Sequence, residues 1–236
     1  MEVLAIVPGR MGSKGVPKKN LLELGGKALL EIAVESALSS KLVTRVIVST
    51  ESEELARVGK EAGAQVPFIR PAELANDTAS TWSVVQHALR ELKELERYIC
   101  DVTVILQPTT PFRTGAHIDA VISKLQEQGG AAALTVREVD YSPYWMFQLK
   151  EGGHIDKLFD EGFKITRRQD APVVYQPNGA VYAVRSDQIE QPSFPWDDAL
   201  GVPVSVEESL NIDHLWQYEF AKVIWEKNRN HEESST

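Results

Sequence analysis

The sequence predicts an α/β fold, a three-layer sandwich in which helices cover both faces of a mostly parallel sheet. Short apolar runs alternate along the chain with segments of helical periodicity, and strand–helix alternation of this kind is typical of parallel sheets. The chain of 236 residues is long enough to bury a core. We find no repeat or linker dividing it, so we expect a single domain over residues 1–236.

Local patterns justify the individual elements in turn. The run at residues 45–49 is rich in β-branched side chains and therefore predicts a strand. Residues 28–39 carry apolar side chains at helical spacing, and Ser52 is placed to cap the helix that follows the second strand. By the same criteria we expect strands at residues 2–7, 45–49, 66–69, 102–106 and 131–136, and helices at residues 28–39, 52–62, 84–95 and 115–126.

The alternation breaks over residues 138–177, where aromatic, glycine and charged residues replace it. Two consecutive glycines, Gly152 and Gly153, predict a hairpin turn within this stretch. We interpret the stretch as an inserted, β-rich arm, whose aromatic residues could form a small core of its own. Beyond it we expect a core strand at residues 179–184, a short strand at 202–206 and a closing helix at 213–227.

Composition and charge argue against several classes of protein. Hydrophobic residues make up 43% of the chain and charged residues 25%, the balance of a folded soluble protein. The 25 Lys and Arg residues are outnumbered by 34 Asp and Glu residues, and a net charge of −9 argues against nucleic-acid and anionic-membrane binding. A single cysteine, Cys100, excludes an internal disulfide framework. Because the first apolar run is too short for a signal peptide or a membrane span, we expect a cytoplasmic protein.

A basic, glycine-rich segment directly follows the first predicted strand. Residues 3–22 contain no acidic residue, but they contain Gly9, Gly12, Gly15 and four cations. Glycines let backbone N–H groups approach an anion closely, and Arg and Lys side chains bind phosphate oxygens. Since ligands of open α/β sheets bind beyond the carboxyl ends of the strands, we predict a phosphate-binding loop rather than a solvated surface turn. Its cations are Arg10, Lys14, Lys18 and Lys19.

The sequence VPGRMGSKGVPKKN at residues 7–20 resembles the N-terminal signature of the acylneuraminate cytidylyltransferases, the CMP-sialic acid synthetases. Further blocks follow in the family's order: STE at 49–51, RPAELANDTAS at 70–80, LQPTTPFRT at 106–114, RRQD at 167–170 and NGAVY at 178–182. The resemblance implies a Rossmann-like nucleotidyltransferase fold with an arm that crosses to a partner subunit in a homodimer. It also implies transfer of CMP from CTP to the anomeric hydroxyl of a nonulosonic (sialic-type) acid, with Mg²⁺ as cofactor and pyrophosphate as product.

The resemblance implies a nucleotide site in the first third of the chain. It places Arg70 and Thr81 at the cytosine base, whose carbonyl and ring-nitrogen acceptors suit arginine and hydroxyl donors. From the sequence alone, Arg70 could instead be a surface arginine before a proline turn, and Thr81 could be a helix N-cap. The residues implied to hold the CTP phosphates are Arg10, Ser13, Lys14, Lys19 and Asn20.

The resemblance places the sugar acid against residues further along the chain. Gln107, which follows a predicted strand, is implied to contact the hydroxyl or acyl groups of the sugar, and Asn178 belongs to the same substrate site. Arg168 is implied to bind the carboxylate. The alternatives are a stiff proline turn after Gln107 and an exposed basic strand edge at Arg168. We expect Arg113 to anchor the loop after Gln107 and to have no role in the site.

Asn211 and Asp213 form the predicted Mg²⁺ site. Strand alternation would place both side chains on one face, and Mg²⁺ prefers oxygen ligands. Asp213 could instead cap the closing helix. Together with Arg10 and Lys19, Asp213 is the residue that the resemblance implies to be catalytic.

Two departures from the family pattern bear on the substrate. Asn211 stands where sialic acid synthetases have an aspartate, and Gln176 stands where some members have a basic residue. Fewer cations around the sugar indicate a substrate other than ordinary sialic acid, such as a legionaminic- or pseudaminic-type acid. The alternatives are a related enzyme that uses a Kdo-type acid or another nucleoside triphosphate, and a non-catalytic protein that binds a nucleotide or a sugar acid.

Overall fold

The computed structural model describes residues 1–12, 15–160 and 164–233. Its strands are β1 (Val3–Pro8), β2 (Glu23–Leu24), β3 (Lys27–Ala28), β4 (Arg45–Ser49), β5 (Val102–Ile105), β6 (Ala132–Glu138), β7 (Phe147–Leu149), β8 (Ile155–Lys157), β9 (Tyr175–Arg185) and β10 (Ala199–Pro203). Its α-helices are α1 (Leu29–Leu38), α2 (Glu53–Glu61), α3 (Thr81–Glu96), α4 (Gly115–Gln128) and α5 (Leu215–Glu233). Each predicted helix is therefore present, and the closing helix extends further than predicted.

Six strands form the central sheet in the order β10-β6-β9-β5-β1-β4. β1 runs parallel to both β4 and β5, and β10 runs parallel to β6. β9 is antiparallel to its two neighbours, β5 and β6. The sheet is therefore mostly parallel, as predicted, and the carboxyl ends of β1, β4, β5 and β6 lie along one edge.

Each face of this sheet carries helices. On β1, Val3, Ala5 and Val7 belong to the same buried cluster as residues of α1 and α4, whereas Leu4 and Ile6 cluster with residues of α3. Successive side chains of a strand point to opposite faces, so this division places the helices in two outer layers. The predicted three-layer arrangement is confirmed.

Two predicted strands differ in the structure. Residues 66–69 form no strand, and the pairing beside β4 is a single bridge between Ile47 and Gln65. Pro67 lacks the N–H that a strand ladder needs, which explains why pairing does not continue. The last strand is β10 rather than residues 202–206, and it pairs with β6 up to its terminal proline.

The segment between β6 and β9 contains a small sheet of its own. β7 and β8 form a separate two-stranded antiparallel sheet, and all of their residues are exposed. The turn between them contains Gly152 (φ 76°) and Gly153 (φ 81°), left-handed conformations that glycine adopts without strain. The predicted hairpin turn is confirmed.

The closing helix α5 packs against the β2–β3 hairpin. Leu24, Leu29 and Ile212 belong to the buried cluster at this contact. Tyr218 donates a hydrogen bond from its hydroxyl to the carbonyl of Glu23 at 2.6 Å. Neither α5 nor any other helix in the described ranges is long and apolar enough to cross a membrane.

Substituting Gly25 tests the docking of α5. Gly25 has φ 63°, and a Cβ there would overlap the ring of Trp225, whereas Gly26 has φ 83° and open space around it. Both alanine variants carry left-handed backbone strain of about 1–2 kcal/mol, but only Gly25→Ala also displaces a packed ring. We expect Gly25→Ala to lower the free energy of unfolding by about 1–3 kcal/mol more than Gly26→Ala in urea titrations. Equal losses would contradict the packing.

Candidate active site

A cleft of about 220 Å³ opens at the carboxyl end of β1. Its walls come from the glycine-rich loop after β1, the loop before α3, the first turn of α3 and the residues after β5. Loops that follow parallel strands emerge at the same edge of the sheet, which brings these segments together. The predicted site residues that line this cleft are Arg10, Lys19, Asn20, Arg70, Thr81 and Gln107. Ser13 and Lys14, which were also predicted to bind phosphate, lie outside the described residues.

Buried hydrogen bonds shape the start of the glycine-rich loop. Asn20 is buried and donates from Nδ2 to the carbonyl of Arg10 at 2.8 Å. Glu51 accepts from the backbone N–H of Met11 at 2.7 Å through Oε1. The loop is therefore held from both sides, by Asn20 near its end and by Glu51, two residues beyond the end of β4.

Arg10 and Lys19 both line the cleft, and each contacts a carboxylate. Arg10 Nη1 lies 3.0 Å from Asp77 Oδ1, and Lys19 Nζ lies 2.9 Å from Asp213 Oδ1. Gly15 approaches the same segment so closely that a Cβ there would lie 2.5 Å from the carbonyl oxygen of Asp213. The Lys19 side chain is 15% exposed and the Asp213 side chain 53% exposed, so water and ligands reach this ion pair from one side.

Arg70 is buried and joins the loop after β1 to the end of β4. Its Nη2 donates to the carbonyl of Gly9 at 2.8 Å and to Glu51 at 3.0 Å, and its Nη1 donates to the carbonyl of Ser49 at 3.2 Å. Burial lowers the pKa of Arg70, and the carboxylate of Glu51 opposes that shift. The alternative of a surface arginine is wrong, since Arg70 is buried. Glu51 belongs to the STE block at residues 49–51, but no site role was predicted for it.

Thr81 is the first residue of α3 and lines the cleft beside Val84. The N-cap of the helix is the preceding residue, Ser80, whose Oγ accepts from the N–H of Ser83 at 3.0 Å. The alternative role of Thr81 as N-cap is therefore wrong, and Thr81 belongs to the wall of the cleft.

A second cleft, of about 680 Å³, adjoins the first, and Gln107 lines both. Residues of β9, of α5 and of the segment before α5 form its walls. Gly179 (φ 81°) sits against Gln107, and a Cβ there would lie 3.6 Å from Gln107 Oε1. The structure thus brings the predicted sugar and metal residues Gln107, Asn178, Asn211 and Asp213 to one cleft.

Arg113 is buried beneath the junction of the two clefts. Its Nη1 donates to the carbonyl of Gln107 at 3.1 Å and to the carbonyl of Ala180 at 2.7 Å. It also donates to the hydroxyl oxygens of Thr110 and Ser36, at 3.1 Å each. Burial lowers the pKa of Arg113 to about 9, so the guanidinium is charged at neutral pH. The expectation that Arg113 anchors the loop after Gln107 is confirmed.

Asn178 is buried where the pairing of β9 with β6 is irregular. Its Oδ1 accepts from the hydroxyl of Thr135 at 2.6 Å and from the N–H of Ala180 at 3.1 Å. Its Nδ2 is buried and has no hydrogen-bond partner among the described residues. A buried donor without a partner is uncommon, and this one belongs to a residue that lines the second cleft.

Asn211 and Asp213 lie in the loop before α5 rather than in a strand. Their side chains nevertheless meet, because Asn211 Nδ2 donates to Asp213 Oδ2 at 2.8 Å. The N–H of Ile212 between them donates to the carbonyl of Thr109 at 2.8 Å, which fixes this loop to the one after β5. The Asp213 carboxylate accepts from the side chains of Asn211 and Lys19 rather than from backbone N–H groups of α5, so its hydrogen bonds do not support the N-cap alternative.

The oxygen donors at Asp213 suit a Mg²⁺ ion that phosphates and water complete. Within the part of the chain that the structure describes, no group of three His, Cys, Asp or Glu side chains could hold a metal by itself. Asp213 offers a carboxylate, and Asn211 Oδ1 is buried with no partner among the same residues. Since Mg²⁺ is usually bound by one or two carboxylates together with substrate phosphates, the residues present fit this ion.

Two arginines differ in how the sequence pointed to them: Arg168 was predicted to bind the sugar acid, and Arg137 was not predicted. The side chain of Arg168 lies outside the described part of the chain, and its backbone belongs to a 3₁₀ turn, Arg168–Asp170, so the alternative of a strand edge is wrong. Arg137 lines the second cleft, and no motif had pointed to it. The available signal was its place near the end of the strand that precedes the arm.

A cationic glycine-rich loop at the strand ends of a mostly parallel sheet, with an acidic residue beside it, is typical of nucleotide-binding α/β proteins. Residues 4–209 match a family model described as Cytidylyltransferase. The match spans most of the chain, and the chain belongs to the cytidylyltransferase family.

Three curated relatives span nearly all of this chain. It is 30% identical over 229 residues to the pseudaminic acid cytidylyltransferase of Campylobacter jejuni, an alignment that covers 97% of this chain and 98% of that protein. It is 30% identical over 233 residues to the CMP-N,N'-diacetyllegionaminic acid synthase of Legionella pneumophila, with the same coverage. It is 31% identical over 227 residues to the N-acylneuraminate cytidylyltransferase of Escherichia coli, covering 96% of this chain but 52% of that protein.

The fold is also similar to those of solved structures. A CMP:2-keto-3-deoxy-manno-octonic acid synthetase complexed with CTP superposes with a TM-score of 0.71 at 16% identity, over 97% of this chain and 100% of that one. The 4-diphosphocytidyl-2C-methyl-D-erythritol synthase of Anaerococcus prevotii gives a TM-score of 0.63 at 12% identity, over 94% and 97% of the two chains. These likenesses confirm the nucleotidyltransferase-like fold.

Proposed function

We propose that this protein transfers CMP from CTP to the anomeric hydroxyl of a nonulosonic (sialic-type) acid and releases pyrophosphate. One observation carries the proposal: a cleft lined by Arg10 and Lys19 and a cleft lined by Asn178 meet at Gln107. Joined clefts of this kind can hold a nucleotide and an acceptor side by side, as a transfer reaction requires. Relatives aligned over nearly their whole length are named for pseudaminic and diacetyllegionaminic acid.

CTP is assigned to the first cleft. Its phosphates lie against Arg10 and Lys19, and the loop that Asn20 holds supplies backbone N–H groups. The base lies against Arg70 and Thr81, where an apolar wall suits a flat ring. That wall consists of Leu74, Ala79 and Val84. Ser13 and Lys14 belong to the phosphate site by resemblance.

The proposed reaction is an in-line attack of the sugar hydroxyl on the α-phosphate, with pyrophosphate leaving. The protein contributes position and charge neutralisation rather than covalent chemistry. Arg10 and Lys19 stabilise the negative charge that develops on the phosphate oxygens. Lys19 lies 2.9 Å from Asp213, so a phosphate that Lys19 holds also lies beside that carboxylate.

Mg²⁺ is the proposed cofactor, held by Asp213 with the amide oxygen of Asn211. When bound, it supplies Lewis-acid polarisation of the phosphate oxygens. The placement of Lys19 beside Asp213 supports this assignment, because the same carboxylate contacts a phosphate-binding side chain and faces solvent. In this proposal, Lys19 and the ion held by Asp213 contact the same phosphate group.

The proposed acceptor is a legionaminic- or pseudaminic-type acid in the second cleft. Gln107 and the buried Nδ2 of Asn178 are the proposed contacts for its hydroxyl or acyl groups, and Arg168 is assigned to the acid by resemblance. Two relatives that align over nearly their whole length, named for pseudaminic and diacetyllegionaminic acid, support this substrate class.

A pyrophosphate-release assay over a panel of sugar acids and nucleotides tests the function and the metal together. We expect release with CTP and a legionaminic- or pseudaminic-type acid, and little with ATP, GTP or UTP. Because phosphate charge has to be neutralised, we also expect loss of turnover on chelation and recovery with Mg²⁺. Turnover of a Kdo-type acid alone would point to the neighbouring enzyme class, and nucleotide binding without release would point to a binding protein.

Replacing Arg10 tests the phosphate site. We expect Arg10→Ala to lower kcat/KM by about 100-fold or more, the usual effect of removing one preorganised donor. The matched control is Arg57→Ala, because Arg57 is exposed on α2 and pairs only at the surface with Glu61. Steady-state kinetics on both variants tests this expectation. An unchanged kcat/KM for Arg10→Ala would show that Arg10 does not act in the phosphate site.

We propose that residues 138–177 form an inserted arm on a single domain and that the arm makes a homodimer. Its support is the separate β7–β8 sheet, which leaves Leu149 and Ile155 77% and 59% exposed. Trp145, Phe147 and Phe159 belong to the same segment, and Phe163 lies outside the described residues. Light scattering of the whole chain is expected to give twice the chain mass, and Leu149→Glu with Ile155→Glu is expected to shift it toward one chain mass. A monomeric wild type would contradict the proposal.

A further inference from the structure

The second cleft has an unusual charge distribution for a site that binds an acid. Three carboxylates line it, those of Asp140, Glu207 and Asp213. Among the described lining residues, Arg137 is its one cation. The neighbouring carboxylates repel a ligand that carries a carboxylate. Such a ligand therefore needs a cation or strong hydrogen-bond donors in this cleft.

Strand register holds the guanidinium of Arg137 in place. Arg137 on β6 is the direct cross-strand partner of Gln176 on β9. With the amide oxygen of Gln176 turned toward it, both Nε and Nη2 of Arg137 donate to that oxygen at 2.7 Å. The neutral amide of Gln176 thereby fixes one edge of the guanidinium. It does so without neutralising the positive charge, as a carboxylate partner would.

Among the residues that the structure describes, the remaining donors of Arg137 have one weak partner. Arg137 Nη1 lies 3.4 Å from Asp140 Oδ2, a long contact for a charge-assisted hydrogen bond. The Arg137 side chain is 26% exposed and that of Asp140 57% exposed, so solvent screens their attraction. A ligand carboxylate that reaches Nη1 and Nη2 would make a shorter and more fully charge-assisted contact than Asp140 does.

We propose that Arg137 binds the carboxylate of the sugar acid and that Gln176 is a positioning residue for its guanidinium. This inference rests on the proposed function. The positive charge that Gln176 itself lacks is supplied by its cross-strand partner, so a basic residue at position 176 is not required. The ligand is an anionic sugar with a carboxylate near its reacting carbon.

Steady-state kinetics on Arg137 variants tests the assignment with the acid that the wild-type chain uses. We expect Arg137→Ala to raise KM for the acid by about 100-fold, while KM for CTP changes by less than about twofold. Arg137→Lys keeps the charge but loses the fork, and we expect an intermediate rise. Gln176→Ala is expected to raise the same KM by about tenfold without lowering kcat. Arg185→Ala, on β9 and paired at the surface with Asp187, is the matched control.

A carboxamide analogue of the acid separates recognition from misfolding. The wild-type chain should bind the acid with a dissociation constant about 100-fold lower than that of the carboxamide. This preference should disappear in Arg137→Ala. An unchanged preference would overturn the inference. So would loss of the preference in Arg168→Ala with retention in Arg137→Ala, because Arg168 would then bind the carboxylate. If the wild-type chain uses no nonulosonic acid at all, both this inference and the proposed function fail.

Discussion

One buried charge, the guanidinium of Arg113, holds the ligand-binding edge of the sheet together. It donates to the carbonyl of Gln107 after β5 and to that of Ala180 in β9, the antiparallel strand beside it. Its contact with Ser36 adds α1 to the same group. Burying a charge costs several kcal/mol unless its donors are satisfied, so the acceptors around Arg113 have little freedom to move. The position of Gln107, where the two clefts meet, follows from that constraint.

The rest of the site is built from contacts between segments that are distant in sequence. Arg70 and Glu51 join the loop after β1 to the end of β4, and both are more buried than a surface ion pair. Thr109 accepts from the N–H of Ile212 and so fixes the loop that carries Asp213. Such buried contacts restrict the backbone before any ligand arrives, which favours a preorganised site.

The sheet and the position of the glycine-rich loop could be predicted from the sequence for a physical reason. Parallel strands that are covered on both faces produce continuous apolar runs, and polar residues directly after them must lie at the ligand edge. Arg10, Lys19 and Gln107 were found in this way or through the family blocks, and the structure places all three at one cleft. The prediction at residues 66–69 was wrong because Pro67 stops pairing beside an otherwise suitable apolar run.

Other features depend on register and packing, which local sequence does not encode. Arg137 meets Gln176 only because β6 and β9 pair in one particular register, with an irregularity between Leu134 and Val136. A shift of one residue would turn Arg137 to the opposite face. Glu51 likewise matters through Arg70, which lies 19 residues further along the chain.

The contact between Lys19 and Asp213 bears on the order in which parts of the structure form during synthesis. The two residues are separated by 194 positions. A chain that emerges from its N-terminus can begin to form β1, β4 and β5 long before Asp213 is synthesised. The glycine-rich loop therefore exists for most of synthesis without the acid that later faces it. The contact between Lys19 and Asp213 is therefore among the last to form, and a chain that ends before Asp213 contains all six strands of the central sheet but not this ion pair.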